Sequence, residues 1–172
     1  MKIKIFPFFL VIFFLSIFFI FYKGLKNSNI YTPEISVEKK IPSFSAKLFD
    51  TNNEISSDEI FKSEKFYLMN IWASWCLPCR KEHNFLMYLS KKKNLEIVGL
   101  NYKDNSQNAQ NFLNELGNPF NISFTDKDGT IAIEWGAYGV PETFLIYDKK
   151  IIKKIIGPLN KDLITEIKEI IE

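Results

Sequence analysis

Cys76 and Cys79 are the only two cysteines in the 172-residue chain, and they stand in the run Trp72-Ala73-Ser74-Trp75-Cys76-Leu77-Pro78-Cys79-Arg80. An apolar run precedes them and a helical pattern follows, which predicts that Cys76 lies where a strand gives way to a helix. There the unpaired first-turn N–H groups and the helix dipole stabilise a thiolate, so Cys76 is the expected attacking sulfur. Pro78 suits a first helical turn, where its missing N–H costs nothing. Cys79 falls on the same side of the helix, turned inward and near enough to close a disulfide. A pair so placed can attack a foreign disulfide through Cys76 and release the reduced target when Cys79 attacks in turn. The same spacing also suits a structural disulfide or part of a zinc site, for which His83, one turn on, is the nearest further ligand.

The elements that must position this pair are readable from periodicity. Lys65 to Trp72 and Leu95 to Tyr102 read as buried strands, and Leu77 to about Lys92 as a helix with Phe85, Leu86 and Leu89 on its apolar side. Phe44 to Phe49 alternates, and with the turn residues Asp50 to Asn53 it predicts a short hairpin. Ser57-Asp58-Glu59 starts a helical turn. Ser106 to Leu116 predicts a helix with Ser106 as N-cap and Gly117 as its stop. Ile122 to Thr125 is a short strand, Asp126 to Gly129 a turn, and Thr130 to Trp135 a helical turn or two. Thr143 to Tyr147 and Ile151 to Ile156 read as strands around Asp148-Lys149-Lys150, and Leu159 to Ile171 as a closing amphipathic helix. Helices alternating with buried strands imply an α/β sandwich.

The chain opens differently. Ile5 to Tyr22 is uncharged and almost wholly apolar, long enough for a helix to span a bilayer core, and no Ala-x-Ala-like cleavage site follows it. The expected organisation is therefore a membrane anchor over 1–22, a polar tether over 23–41 and a single folded domain over 42–172. Lys2 and Lys4 before the span favour a cytoplasmic N-terminus, although Lys23 and Lys26 follow it. That orientation puts the domain in an oxidising compartment, where a lone cysteine pair suits exchange better than stapling. Lys and Arg total 22 against 20 Asp and Glu, a net charge of +2, and six of the lysines sit beside or near the span. Lys91-Lys92-Lys93 reads as a solvated helix end, so no nucleic-acid surface is expected.

A second run far downstream, Gly139-Val140-Pro141-Glu142-Thr143-Phe144, joins the first, and together they resemble the thioredoxin superfamily. The match narrows with Cys-x-x-Cys-Arg-Lys-Glu-His, Gly99-Leu100-Asn101-Tyr102-Lys103-Asp104, Glu115-Leu116-Gly117-Asn118-Pro119 and Gly136 to Phe144. These resemble the membrane-anchored thiol:disulfide interchange proteins of cytochrome c maturation, the CcmG/DsbE type, from Pro42 to the C-terminus. The resemblance implies a thioredoxin-like fold, a mixed sheet flanked by helices, with Pro141 in cis beside the cysteines and the Val140 backbone free to pair with an extended substrate. It implies a bacterial inner-membrane protein with its catalytic domain in the periplasm, kept reduced by a transmembrane thiol donor. It also implies that electrons pass to the haem-attachment cysteines of apocytochrome c, or to a partner thiol protein. The redox group is the cysteine pair itself, with no cofactor or metal called for.

The residues leave two rivals beside this: a general extracytoplasmic reductase, and a metal-delivery module using Cys76, Cys79 and His83. Asn70 stands six residues before Cys76, where thioredoxin has a buried aspartate, and Glu142 is the acid expected to handle the Cys79 proton in its place. Trp75 and Tyr138 are expected to line the substrate surface, and Trp72 to belong to the core.

Overall fold

The structure is a computed structural model that describes residues 6–26, 39–51 and 53–172. It separates into an N-terminal unit and a larger one that begins at Ile35.

Among the described residues, the N-terminal unit contains one helix, α1 (Phe6–Lys26), of 21 residues. Phe, Ile, Leu and Val follow one another there without a polar face, and Phe8, Phe9, Phe18 and Phe21 are all exposed. Among the described residues no helix is long and apolar enough to cross a membrane; side chains of α1 are described over 7–23, while its backbone helix continues to Lys26. Ile5, the expected first residue of the span, and most of the expected tether lie outside the described residues.

The larger unit is built on one eight-stranded sheet. Its strands are β1 (Lys39–Lys40), β2 (Ser45–Leu48), β3 (Glu54–Ser56), β4 (Phe66–Trp72), β5 (Leu95–Tyr102), β6 (Ile122–Asp126), β7 (Glu142–Tyr147) and β8 (Lys150–Ile156), in the spatial order β1-β8-β7-β4-β5-β6-β2-β3. β4, β5 and β6 run parallel at the centre, and β7 lies antiparallel to β4 on its other side. The helices are α2 (Ser57–Ile60), α3 (Leu77–Leu89), α4 (Ser106–Leu116), α5 (Thr130–Glu134) and α6 (Lys161–Ile171).

Alternation along β4 divides the core. Leu68 and Trp72 face the cluster that holds Leu86 and Leu89 of α3, Phe112 and Leu113 of α4 and Ile164 and Ile167 of α6. Tyr67, Met69 and Ile71 face the other side, where Phe61, Phe124, Ile131 and Trp135 pack. This is the two-period expected of a strand covered on both faces, and it puts Asn70 on the α3 side.

The fold is thioredoxin-like, with a mixed sheet between helices, and the elements read from periodicity are present. Their ends differ where local hydrogen bonding decides. Asn105, not Ser106, caps α4, its side chain accepting from the N–H groups of Gln107 and Asn108. Asp126 ends β6 instead of opening the turn, and its carboxylate accepts from Gly129 N–H at 3.0 Å and Ala132 N–H at 2.9 Å. The closing helix starts at Lys161 because Asn160 caps it, accepting from Leu163 N–H at 3.0 Å. Lys39 and Lys40, placed in the tether by their polarity, pair with Ile151 and Lys150 as an edge strand, and Ile41 N–H donates to Lys149 O at 3.1 Å.

Candidate functional site

The carboxyl ends of β4, β5 and β6 and the amino end of β7 come together at one end of the sheet, and the loops that leave them carry the site. Cys76 is the N-cap of α3 and Pro78 lies in its first turn. Cys76 and Cys79 are disulfide-bonded with Cα atoms 5.3 Å apart, and Cys79 N–H donates to Cys76 Sγ at 3.1 Å. The sulfur expected to attack thus already accepts a first-turn N–H at the positive end of a helix, the arrangement that favours its thiolate once the bond is reduced.

In one respect the expected presentation differs. Cys76 is 4% exposed and Cys79 2%, so in the disulfide form neither sulfur stands out from the surface. Trp75 and Leu77, which flank Cys76 in the chain, and Tyr138, two residues before Val140, are each more than half exposed, while Trp72 is 1% exposed and stacks on Phe120 with centroids 5.4 Å apart.

The loop that bears Cys76 is held from β5. Asp104 accepts from Ser74 N–H at 2.5 Å, Ser74 Oγ at 2.7 Å, Asn101 Nδ2 at 3.0 Å and Asn105 N–H at 2.8 Å. The Trp75 indole N–H donates to Lys103 O at 3.2 Å. One carboxylate thus ties together the segment before Cys76, the end of β5 and the cap of α4. Sequence reading took Asn101 to Asp104 as a family signature without seeing this clamp.

On the other flank the Val140–Pro141 peptide is cis, as the resemblance implied. Among the described residues no main-chain hydrogen bond of a turn or loop involves Val140. Glu142 is 2% exposed, but its partners are not the cysteines. Its Oε1 accepts from Tyr138 N–H at 2.6 Å and Gly139 N–H at 3.1 Å, and its Oε2 lies 2.9 Å from Lys154 Nζ.

The acid that sequence reasoning missed is Glu82. It follows Cys79 by three residues on α3, hence on the same face, and is 1% exposed. Asn70 Nδ2 donates to Oε1 at 2.8 Å and Leu159 N–H to Oε2 at 2.6 Å. No cation pairs with it among the described ion pairs. Burial outweighs these two donors and pushes its pKa up to about 7. The sequence held a signal for it: Cys79, Glu82, Leu86 and Leu89 share the inward face at helical spacing.

His83 is 2% exposed, its Nε2 lies 2.8 Å from Gly117 O and its ring meets the Phe112 edge-on at 5.1 Å. Facing a carbonyl, Nε2 carries the proton, so that nitrogen is engaged in fastening α3 to the end of α4. Burial lowers its pKa. Among the described residues no three His, Cys, Asp or Glu side chains gather to hold a metal ion.

Residues 36–170 match the Redoxin family. The chain is 42% identical over 128 residues to the thiol:disulfide interchange protein DsbE of Tatumella citrea, covering 74% of this chain and 69% of that protein. It is 40% identical over 125 residues to DsbE of Escherichia coli strain K12, covering 72% and 67%, and 39% identical over 146 residues to a probable DsbE-2 of Pasteurella multocida, covering 84% and 76%. Among solved structures, the thioredoxin domain of a thiol-disulfide oxidoreductase from Bacteroides vulgatus shares the fold at a TM-score of 0.67 and 19% identity, covering 80% of this chain and 99% of that one. With a cysteine pair at a helix N-terminus beside a cis proline, and relatives of this similarity, the chain belongs to the redoxin family as a thiol:disulfide oxidoreductase of the DsbE interchange type.

Proposed function

We propose that this oxidoreductase works as a membrane-anchored reductase on the periplasmic side of a bacterial inner membrane, keeping the haem-attachment cysteines of apocytochrome c, or a partner thiol protein, reduced. The observation that carries it is the pairing of Cys76, the N-cap of α3, with the open Val140 backbone beside cis-Pro141. An extended peptide aligned along Val140 brings its disulfide to Cys76. The likeness to DsbE proteins supports the substrate class. The anchor rests on the sequence alone, through the uncharged and almost wholly apolar run from Ile5 to Tyr22.

In the reducing direction the Cys76 thiolate attacks one sulfur of the target disulfide, and the other leaves as a thiolate that takes up a proton. The Cys79 thiol then loses its proton and attacks Cys76 Sγ. The mixed disulfide breaks, the target departs with two thiols, and Cys76–Cys79 is left oxidised. Two electrons have moved from the pair to the target, and an external dithiol restores the pair by the reverse steps.

The second step needs a base near Cys79. The reading that gave this task to Glu142 sits poorly with its engagement by Lys154, Tyr138 and Gly139. Glu82 fits it better: buried, without a cation partner among the described residues, one turn from Cys79 and held near neutrality. A base with a pKa near the working pH is best placed to accept and return a proton.

The test is a trap. With Cys79→Ala the mixed disulfide on Cys76 cannot be resolved, and the proteins that stay linked in cells are identified. Apocytochrome c or its maturation proteins are the expected capture. A broad set of periplasmic proteins would give the function to general thiol reduction instead.

A further inference from the structure

Lys154 is a lysine whose side chain is 2% exposed. Burial of an ammonium is costly unless it is paired and its protons are used, so its surroundings call for a reason. Nζ lies 2.9 Å from Glu142 Oε2 and donates to Gly136 O at 2.6 Å. It also stands over the Tyr138 ring at 4.4 Å and the Phe144 ring at 5.4 Å, positions in which an aromatic face attracts a cation. The other oxygen of Glu142 takes the N–H groups of Tyr138 and Gly139. Every contact of this ion pair therefore ends on the segment that leads into Val140–Pro141, or on the strand that leaves it. Gly136, at φ +69°, and Ala137 are tied back to α5 by N–H bonds to Ile133 O at 2.8 Å and Ala132 O at 2.9 Å. Beyond them, the ammonium takes the Gly136 carbonyl and the carboxylate takes the N–H groups of Tyr138 and Gly139.

We propose that Lys154 is a positioning residue for substrate recognition: through Glu142 it fixes residues 136–139 so that the Val140 main chain is presented as a rigid edge to a peptide disulfide. By using the N–H groups of Tyr138 and Gly139, the pair leaves Val140 as the main-chain position still open for a partner. By seating the Tyr138 ring on Nζ, it holds that exposed aromatic on one side of the peptide path. An edge already ordered before binding avoids the cost of ordering it on binding. This rests on the reading that substrates align along Val140.

The experiment compares two disulfides with the reduced full-length protein. One is a peptide disulfide, and the other is hydroxyethyl disulfide, which has no main-chain amide to pair with Val140. The readout is the ratio of their second-order rate constants. In Lys154→Met the ratio is expected to fall by about tenfold or more, because lost transition-state contacts appear directly in that constant. Circular dichroism checks folding, and Lys154→Gln, which keeps a donor for the Gly136 carbonyl, replaces the first variant if the unpaired Glu142 prevents folding. An unchanged ratio in a folded variant overturns the proposal, since a merely structural lysine would slow both reactions alike. A native protein that shows no preference for the peptide disulfide overturns the Val140 reading itself, which separates the two failures.

Discussion

Glu82 Oε1 accepts a hydrogen bond from Asn70 Nδ2 at 2.8 Å, and Asn70 Nδ2 also reaches Thr143 Oγ1 at 3.0 Å. One amide thus links the acid on α3, the central strand and β7 immediately after the cis proline. The buried acid thus stands on the helix and shares a face with Cys79.

Glu82 makes stability depend on pH in a stated direction. Its folded pKa of about 7 stands above its ordinary 4.5, so between those values the folded chain binds more protons than the unfolded one. Stability therefore falls as pH rises through that window. With about 1.4 kcal/mol per unit, the loss from Glu82 is on the order of 3 kcal/mol. Urea unfolding of the oxidised domain at pH 5 and pH 8 should show this loss in the native chain and its absence in Glu82→Gln. His83 runs the other way, because its lowered pKa takes stability away below its ordinary 6.5, but it is common to both chains and drops out of their difference.

The same variant separates the two acids in the exchange reaction. Glu82→Gln is expected to slow resolution of a mixed disulfide by about 10²-fold near neutrality, the usual scale of a lost general base. The rate at which Cys76 forms the mixed disulfide should change much less. Stopped-flow measurement of the two phases decides it, and an unchanged second phase would return the proton to Glu142 or to water.

Asp104 gathers four donors from Ser74, Asn101 and Asn105. Asp104→Ala strands them and should cost about 2–3 kcal/mol, as removing a partly buried acceptor does. Chemical denaturation measures the loss, and near-ultraviolet circular dichroism should report a freed Trp75 indole.

Gly99 marks a close approach within β5. A Cβ there would stand 2.8 Å from Phe120 Cγ and 2.9 Å from Ser123 Oγ. Gly99→Ala should therefore destabilise the domain by about 1–3 kcal/mol, the usual penalty of overpacking, and thermal melting gives the number. A variant as stable as the native chain would show that Phe120 yields freely.

In the reduced protein Cys76 should be alkylated by iodoacetamide well before Cys79. Cys76 caps α3 and accepts the Cys79 N–H, which favours its thiolate, whereas Cys79 lies on the inward face. Mass spectrometry of the singly modified chain identifies the site.

The sheet and helices were legible because both faces of β4 and β5 are covered, and their apolar runs say so. The cysteine pair and the exposed Trp75 were legible in the motif itself, and the cis proline only through what the family resemblance implies. Glu82 was hidden by its charge: a glutamate in Arg80-Lys81-Glu82 looks solvated unless helical phase is followed from Cys79. Lys154 was hidden by register. β7 and β8 pair Phe144 with Lys154 and Leu145 with Lys153, then shift between Leu145 and Ile146, and no alternation in Lys150 to Ile156 reveals which of two adjacent lysines turns inward. Lys39 and Lys40 were hidden because an edge strand needs no apolar pattern.

The parallel run of β4, β5 and β6 also gives the molecule a working end and an idle end. Lys65, Lys93, Asn94 and Tyr147 line a shallow hollow at the idle end, where β4 and β5 begin. The seven residues of β4 put about 23 Å between that hollow and the cysteine loop. A dye, a spin label or an electrode linker coupled at Lys93 can therefore be added without shielding the disulfide, which makes this domain a ready immobilised reporter of its own redox state.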